Sequence, residues 1–246
     1  MPFDAIISDI DGCLGPEHHG PLDASALARI AAWNLASGAR SGPALTLCSG
    51  RPQPYAEAMS RLVANTRCPI VCEMGVWLYD PRDNRFLIDP AITDDDLARL
   101  DDCTRWIRRE YIPRGVVIQP GKAASISLWH ADTAWLMSIK ARLVEEIARR
   151  NWKMRVASTV AWINLELDHV SKGTGIDRLC AMMGYRKDRL AGIGDTLGDM
   201  AIRERVAFFA CPSNADERLK EVADYVSPHA EVEGVLDVLR RVWSVE

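Results

Sequence analysis

The sequence predicts an α/β protein: a parallel sheet interrupted by an inserted α+β module. Short apolar runs alternate with helical stretches in the first third of the chain and again after residue 169, the pattern of parallel strands joined by helical crossovers. Between these segments the order becomes helix, two strands, helix, two strands, which favours antiparallel neighbours.

Strands are expected at 5–8, 43–48 and 69–72. They alternate with helices over 23–36, where Leu27, Ile30, Ala31 and Leu35 share one face, and over 54–64. The turn cluster Tyr79-Asp80-Pro81-Arg82-Asp83-Asn84 joins strands at 76–79 and 86–88. A helix begins at 93–96, whose acidic residues suit a first turn, and runs to about 111. Strands at 116–119 and 124–129 flank Pro120-Gly121-Lys122, a helix spans 133–151, and strands follow at 153–158 and 161–168. Alternation then resumes with helices at 173–183, 197–204 and 215–222, strands at 189–193, 206–210 and 224–226, and a final helix. The expected division is a core at 1–78 and 170–246 with an insertion at 79–169. Insertions of this kind often sit over the working face of their host.

The chain of 246 residues is 48% hydrophobic, enough for a substantial core, and its net charge of −4 argues against a nucleic-acid partner bound through a basic surface. No apolar run approaches the roughly 18 residues of a membrane span. The short apolar run near the N-terminus has no cationic stretch before it, so a signal peptide is not expected. Seven scattered cysteines without a disulfide pattern fit a reducing compartment, so a soluble cytoplasmic protein with no membrane partner is expected. Cys68 and Cys72 lack a second ligand pair and read as buried thiols rather than a zinc site.

Open α/β sheets bind ligands beyond the carboxyl ends of their strands. The first strand is followed by Asp9 and Asp11, which point to the same side of an extended chain. Two close carboxylates call for a hard cation, commonly Mg²⁺ where phosphate is handled. The second strand is followed by Ser49-Gly50-Arg51, the return from the insertion by Ser171-Lys172-Gly173, and the next core strand by Gly194-Asp195-Thr196-Leu197-Gly198-Asp199. Each piece has an ordinary alternative. Asp-x-Asp-Gly and Ser-Gly occur in plain turns, Lys172 fits a solvated helix start, and Asp195 and Asp199 fit a helix cap and a first-turn acid. Their conjunction at successive strand ends favours phosphoryl transfer. One aspartate attacks phosphorus and another moves the leaving-group proton. A metal offsets the charge, and hydroxyl, amide and ammonium groups hold the non-bridging oxygens.

Asp9-Ile10-Asp11-Gly12-Cys13-Leu14, Ser49-Gly50-Arg51, Lys172 and Gly194 to Asp199 resemble, in order, the four motifs of the haloacid dehalogenase-like phosphatase superfamily. The insertion resembles that superfamily's type IIB cap. Glu73-Met74-Gly75 is similar to the Glu-Asn-Gly that precedes the cap, with Met74 replacing asparagine. Cys211-Pro212-Ser213-Asn214-Ala215 resembles the superfamily's small-Asn-Ala turn, and Cys13 stands where threonine is more usual. The resemblance implies a Rossmann-like parallel sheet core with an inserted α+β cap domain. It also implies Asp9 as nucleophile, Asp11 as general acid/base, and Ser49, Gly50 and Lys172 as phosphate ligands. Mg²⁺ would be held by Asp9, the Asp11 carbonyl and Asp195, with Asp199 close by.

Sugar-phosphate phosphatases and archaeal-type phosphoglycolate phosphatases are the similar groups. The activity implied is Mg²⁺-dependent hydrolysis of a small phosphorylated metabolite through an aspartyl-phosphate. The alternatives are a phosphosugar mutase on the same scaffold and a non-catalytic phosphometabolite-binding module. Arg51, Lys122 and Asn214 are candidate substrate residues, with pairing to a core acid as the alternative for Arg51 and a solvated turn as the alternative for Lys122. Glu17-His18-His19 reads as a polar entrance loop or a second metal site. Trp129, Trp135, Trp152 and Trp162 read as packing or as faces for a sugar ring.

Overall fold

The computed structural model describes residues 3–17 and 20–244. The core opens with β1 (Ala5–Ser8), α1 (Ala24–Ala39), β2 (Ala44–Leu47), α2 (Gln53–Leu62), β3 (Ile70–Cys72), β4 (Trp77–Asp80) and β5 (Arg85–Ile88). The insertion comprises α3 (Asp94–Glu110), β6 (Val117–Ile118), β7 (Ser125–Trp129), α4 (Thr133–Ser138), α5 (Lys140–Arg150), β8 (Met154–Ser158) and β9 (Trp162–Leu167). The core resumes with α6 (Lys172–Met183), β10 (Leu190–Ile193), α7 (Met200–Arg203), β11 (Phe208–Cys211), α8 (Glu217–Lys220), β12 (Tyr225–Val226) and α9 (Glu231–Ser244).

The main sheet is parallel, in the order β12-β11-β10-β1-β2. Its centre, β1, is buried on both faces, which explains its unbroken apolar run. Ile6 packs to one side with Leu27, Met59 and Val235; Ile7 packs to the other with Ile176, Ile202 and Phe209. Helices therefore cover both faces, and ligand-bearing loops are left at the strand ends. β3 meets β2 through a Cys48–Val71 bridge, and β4 and β5 follow it antiparallel. The expected division between residues 78 and 79 thus falls inside β4. This hairpin pairs with β3 rather than with the insertion's sheet, because Leu78 and Tyr79 pack into the two core clusters.

The insertion's sheet is antiparallel, in the order β6-β7-β9-β8. Ile126, Leu128, Ile163, Leu165 and Leu167 face a core built with Trp106 and Ile107 of α3 and Leu143 and Ile147 of α5. Alternation sends Ser125, Ser127, Asn164 and Glu166 to the other face. A capping box of Thr93 and Asp96 starts α3. The helix expected over 133–151 is two helices. The backbone tightens at Ile139, whose N–H bonds to the Leu136 carbonyl, with no glycine or proline to mark the break. The helix expected over 197–204 begins as a 3-10 turn because the Asp199 carboxylate bonds the amides of Asp195 and Thr196. No helix among the described residues is long and apolar enough to cross a membrane.

Candidate active site

β1 ends in Asp9, β2 leads to Ser49, and β10 leads to Asp195. The parallel register of β2, β1 and β10 brings these three ends together. Ser171 caps α6, so Lys172 sits at the helix's first position with its side chain directed inward. The Lys172 Nζ lies 2.8 Å from Asp9 Oδ2 and 2.7 Å from Asp199 Oδ1. All three side chains are buried. Asp9 Oδ1 accepts from the Ile10 amide at 2.7 Å, which fixes the carboxylate's orientation.

Asp195 lies over Gly12, and that explains the glycine. A Cβ on Gly12 would stand 1.9 Å from Asp195 Oδ2, and the residue's φ of +71° belongs to the left-handed region. The Asp195 carboxylate meets the Cys13 thiol at 3.9 Å and, among the described residues, no cation. Burial, then the charges of Asp9 and Asp199, push Asp195 up to about 9. Asp9 is also raised, by burial first, with Lys172 opposing and Asp199 and Asp11 adding to the rise. Burial acts to lower Lys172, but Asp199 and Asp9 outweigh it and hold the ammonium well above its usual range.

Asp9, Asp195 and Asp199 each present an oxygen within 4.8 Å of the others. Three buried carboxylates against one buried ammonium leave an excess of negative charge. An all-oxygen hard donor set with that excess fits Mg²⁺. Asp11 stands outside this triplet. Arg51 grips it twice, Nε to Oδ2 at 2.7 Å and Nη2 to Oδ1 at 2.6 Å, and the guanidinium lies 5.0 Å from the Tyr55 ring centre. Ser49 is fully buried. Its Oγ accepts from the Arg51 amide at 3.1 Å and its carbonyl from the Met74 amide at 3.0 Å.

A cavity of about 350 Å³ separates these groups from the polar face of the insertion's sheet. Asp9, Asp11, Gly50, Arg51, Lys122 and Lys172 line it. Ser49, Asp195 and Asp199 are buried beside those residues, outside the lining. Lys122 is half-buried rather than a solvated turn residue. Burial lowers it, while Glu73 and Glu166 oppose that shift. Asn214 does not reach the cavity. Its amide donates to the Gly12 carbonyl at 2.9 Å and its side-chain oxygen accepts from the Glu231 amide at 2.7 Å, so it ties the first-motif loop to α9. The expected substrate role for Asn214 therefore has no geometric support. Glu17 lines the cavity, while His18 and His19 lie outside the described residues. Trp162 lines the cavity, whereas Trp152 packs on Trp106, Trp135 on His130, and Trp129 pairs with Trp162 across β7 and β9.

Sequence reasoning did not single out Gln119, Ser127, Asn164 and Glu166, all of which line the cavity. The period-2 alternation of β7 and β9 held the signal, since their polar residues share one face. Glu73, at the entry to the insertion, fixes the hairpin that carries Lys122. Its carboxylate accepts from the amides of Ala123 and Ala124, both at 2.9 Å, and from Ser125 Oγ at 2.8 Å.

A family model described as haloacid dehalogenase-like hydrolase matches residues 135–239, which include Lys172, Asp195 and Asp199. A Thermoplasma acidophilum protein of known structure shares the fold with a TM-score of 0.74 at 18% identity, over 98% of each chain. The matched segment and the fold are similar to those of haloacid dehalogenase-like hydrolases. A sucrose-phosphatase from Synechocystis, solved with sucrose and phosphate, superposes over the full length of both chains with a TM-score of 0.71 at 18% identity. A phosphoglycolate phosphatase of Methanothermobacter thermautotrophicus is 33% identical over 111 residues, 45% of this chain and 50% of that one. The chain spans about half the length of the curated relatives it matches. The parallel core and the separate antiparallel insertion are those of the haloacid dehalogenase-like fold, and the insertion is consistent with a type IIB cap.

Proposed function

We propose that this haloacid dehalogenase-like protein is a Mg²⁺-dependent phosphomonoesterase for a small phosphorylated metabolite, working through an aspartyl-phosphate on Asp9. The observation that carries this reading is the shared Lys172 ammonium. It holds Asp9 and Asp199 at 2.8 and 2.7 Å, with Asp11 two residues on and a cavity in front. The relatives named as phosphatases support the reaction class.

In this reading an Asp9 carboxylate oxygen attacks phosphorus and the ester oxygen leaves. Asp11 gives that oxygen its proton, then takes one from the water that attacks the aspartyl-phosphate and restores Asp9. Arg51 holds Asp11 within reach of the cavity, and release of that grip frees Asp11 to carry a proton. Lys172 fixes the attacking carboxylate and offers its ammonium to the non-bridging oxygens, and Gly50 lines the same cavity. Asp9, Asp195 and Asp199, with the Asp11 carbonyl, would hold Mg²⁺, which offsets the repulsion between carboxylate and phosphate when bound. The test is phosphate release from a panel of phosphate esters with Mg²⁺, comparing the native protein with Asp9→Asn. Hydrolysis that depends on Asp9 supports the reading. Full activity of the variant, or movement of phosphate within a sugar without release, refutes it.

A further inference from the structure

The turn Glu73-Met74-Gly75 stands where the loop after β2, the start of α6 and the insertion meet. Its backbone is unusual. Glu73 has a φ of +50°, Met74 of +55° and Gly75 of +102°, so three successive residues lie in the left-handed region. Residues with side chains seldom adopt that conformation, and the surrounding structure must hold it in place. The Glu73 amide donates to the Arg51 carbonyl at 2.9 Å, and the Met74 amide to the Ser49 carbonyl at 3.0 Å. A Cβ on Gly75 would stand 2.1 Å from the carbonyl oxygen of Ser171, the residue before Lys172. The Gly75 carbonyl accepts from Arg178 of α6 at 2.9 Å.

On its other side the turn holds the insertion. The Glu73 carboxylate is fully buried and accepts from neutral donors, the amides of Ala123 and Ala124 and the Ser125 hydroxyl. Burial pushes Glu73 up, and these three donors oppose the rise. A buried carboxylate is a costly way to pin a hairpin that an apolar contact could hold. What the carboxylate adds is direction, because its oxygens fix residues 123–125 relative to the turn. The turn in turn fixes the loop. The Ser49–Gly50 peptide is planar, so binding of the Ser49 carbonyl to Met74 aims the Gly50 N–H away from residue 74. The Met74 Sδ lies 3.1 Å from where a Cβ on Gly50 would stand, so the side chain packs on the same peptide. Gly50 lines the cavity, whereas Glu73 does not.

We propose that Glu73 is a positioning residue for the phosphate site: its clasp on residues 123–125 holds the Ser49–Gly50 peptide in its binding orientation, so that clasp and phosphate stabilise each other. The proposal rests on the phosphomonoesterase reading of the cavity and adds a residue that acts through the loop without touching the substrate.

The test is amide hydrogen exchange at Ala123 and Ala124 in the native protein with Mg²⁺, with and without inorganic phosphate. Calorimetry measures phosphate binding to the native protein, Glu73→Ala and Glu73→Gln in parallel. Phosphate is expected to slow exchange at those two amides by at least about fivefold, the lower end of coupling between sites. Coupling is reciprocal, so Glu73→Ala should bind phosphate more weakly by the same factor. Glu73→Gln keeps a side-chain oxygen for the bonds that Oε1 makes to Ala123, Ala124 and Ser125, and should retain most of the affinity. Circular dichroism establishes that each variant is folded, and if Glu73→Ala is not, exchange in the native protein decides. Bound phosphate that leaves exchange at Ala123 and Ala124 unchanged overturns the proposal, as does unchanged affinity in folded Glu73→Ala. Equal loss in both folded variants overturns it too, since it assigns the effect to the charge rather than to position, and so does a native protein that binds no phosphate. Phosphate release from esters by the native protein separates the two claims. Asp9-dependent hydrolysis without the coupling removes this proposal and leaves the phosphatase reading. The coupling without hydrolysis does the reverse.

Discussion

The core wall of the cavity is ionic and buried, whereas the cap wall is mostly neutral and built for hydrogen bonding. On the core side the Lys172 ammonium joins Asp9 and Asp199, Asp195 lies beside them, and Asp11 is clamped by a guanidinium. These groups sit at the ends of adjacent parallel strands, where the sheet register fixes their spacing. On the cap side Ser127, Trp162 and Asn164 project from an antiparallel sheet whose opposite face is its own apolar core. A substitution on that polar face leaves the strand ends of the core untouched. The contrast teaches that the ionic wall and the hydrogen-bonding wall belong to separate layers of the molecule, and the Glu73 clasp on residues 123–125 is one tie between them.

The sharpest way to break the contrast is to remove the core's shared cation. Lys172→Met leaves Asp9 and Asp199 buried without their partner. Steady-state kinetics should show kcat down by about 10²–10³-fold, and denaturant unfolding should show about 3 kcal/mol less stability. A change confined to KM would place Lys172 with the hydrogen-bonding wall instead.

The next effect is on pH. Burial holds Asp195 up to about 9 and raises Asp9, so the folded metal-free protein keeps protons that the unfolded chain has released. The stability linked to those protons is full below about pH 4, the ordinary carboxylate range, and is lost as pH rises through the folded values. In chelator, Tm should therefore fall from pH 6 to pH 8. Mg²⁺ should raise Tm more at pH 8, where it displaces fewer protons. A Tm in chelator that climbs over this range, or an Mg²⁺ effect larger at pH 6, contradicts the account.

Smaller still is the cap effect. Ser127→Ala breaks the relay from Lys122 to Asn164 and should raise KM by about tenfold with kcat little changed, read on the preferred ester. The smallest concerns Asn214, a strut between the Gly12 loop and α9. Asn214→Ala should cost about 1 kcal/mol of stability by denaturant unfolding, with no change in KM. A rise in KM would return this residue to the substrate.

The placement of the core's candidate residues was legible in the sequence because each follows a buried strand or begins a helix, and those elements announce themselves by apolar runs and periodicity. Asp9, Ser49 and Lys172 lie where those signals put them. What escaped depends on which surfaces meet. Residues 79–88 read as part of the insertion until β4 is seen pairing with β3 and Tyr79 packing in the core. The break at Ile139 carries no breaker residue, so only the packed backbone reveals it. Glu166 alternates correctly within β9, but alternation alone does not say that its face covers an active site. Asn214 shows the reverse case. Resemblance suggests a substrate residue, whereas its side chain joins the Gly12 loop to the start of α9.

The central claim is that Asp9 carries the phosphoryl group, and the most direct measurement is mass spectrometry of the protein acid-quenched during turnover of a phosphate ester with Mg²⁺. The account predicts a phosphoryl adduct on the peptide containing Asp9, lost together with turnover in Asp9→Asn. Steady hydrolysis with no adduct on that peptide, undiminished in Asp9→Asn, would contradict it.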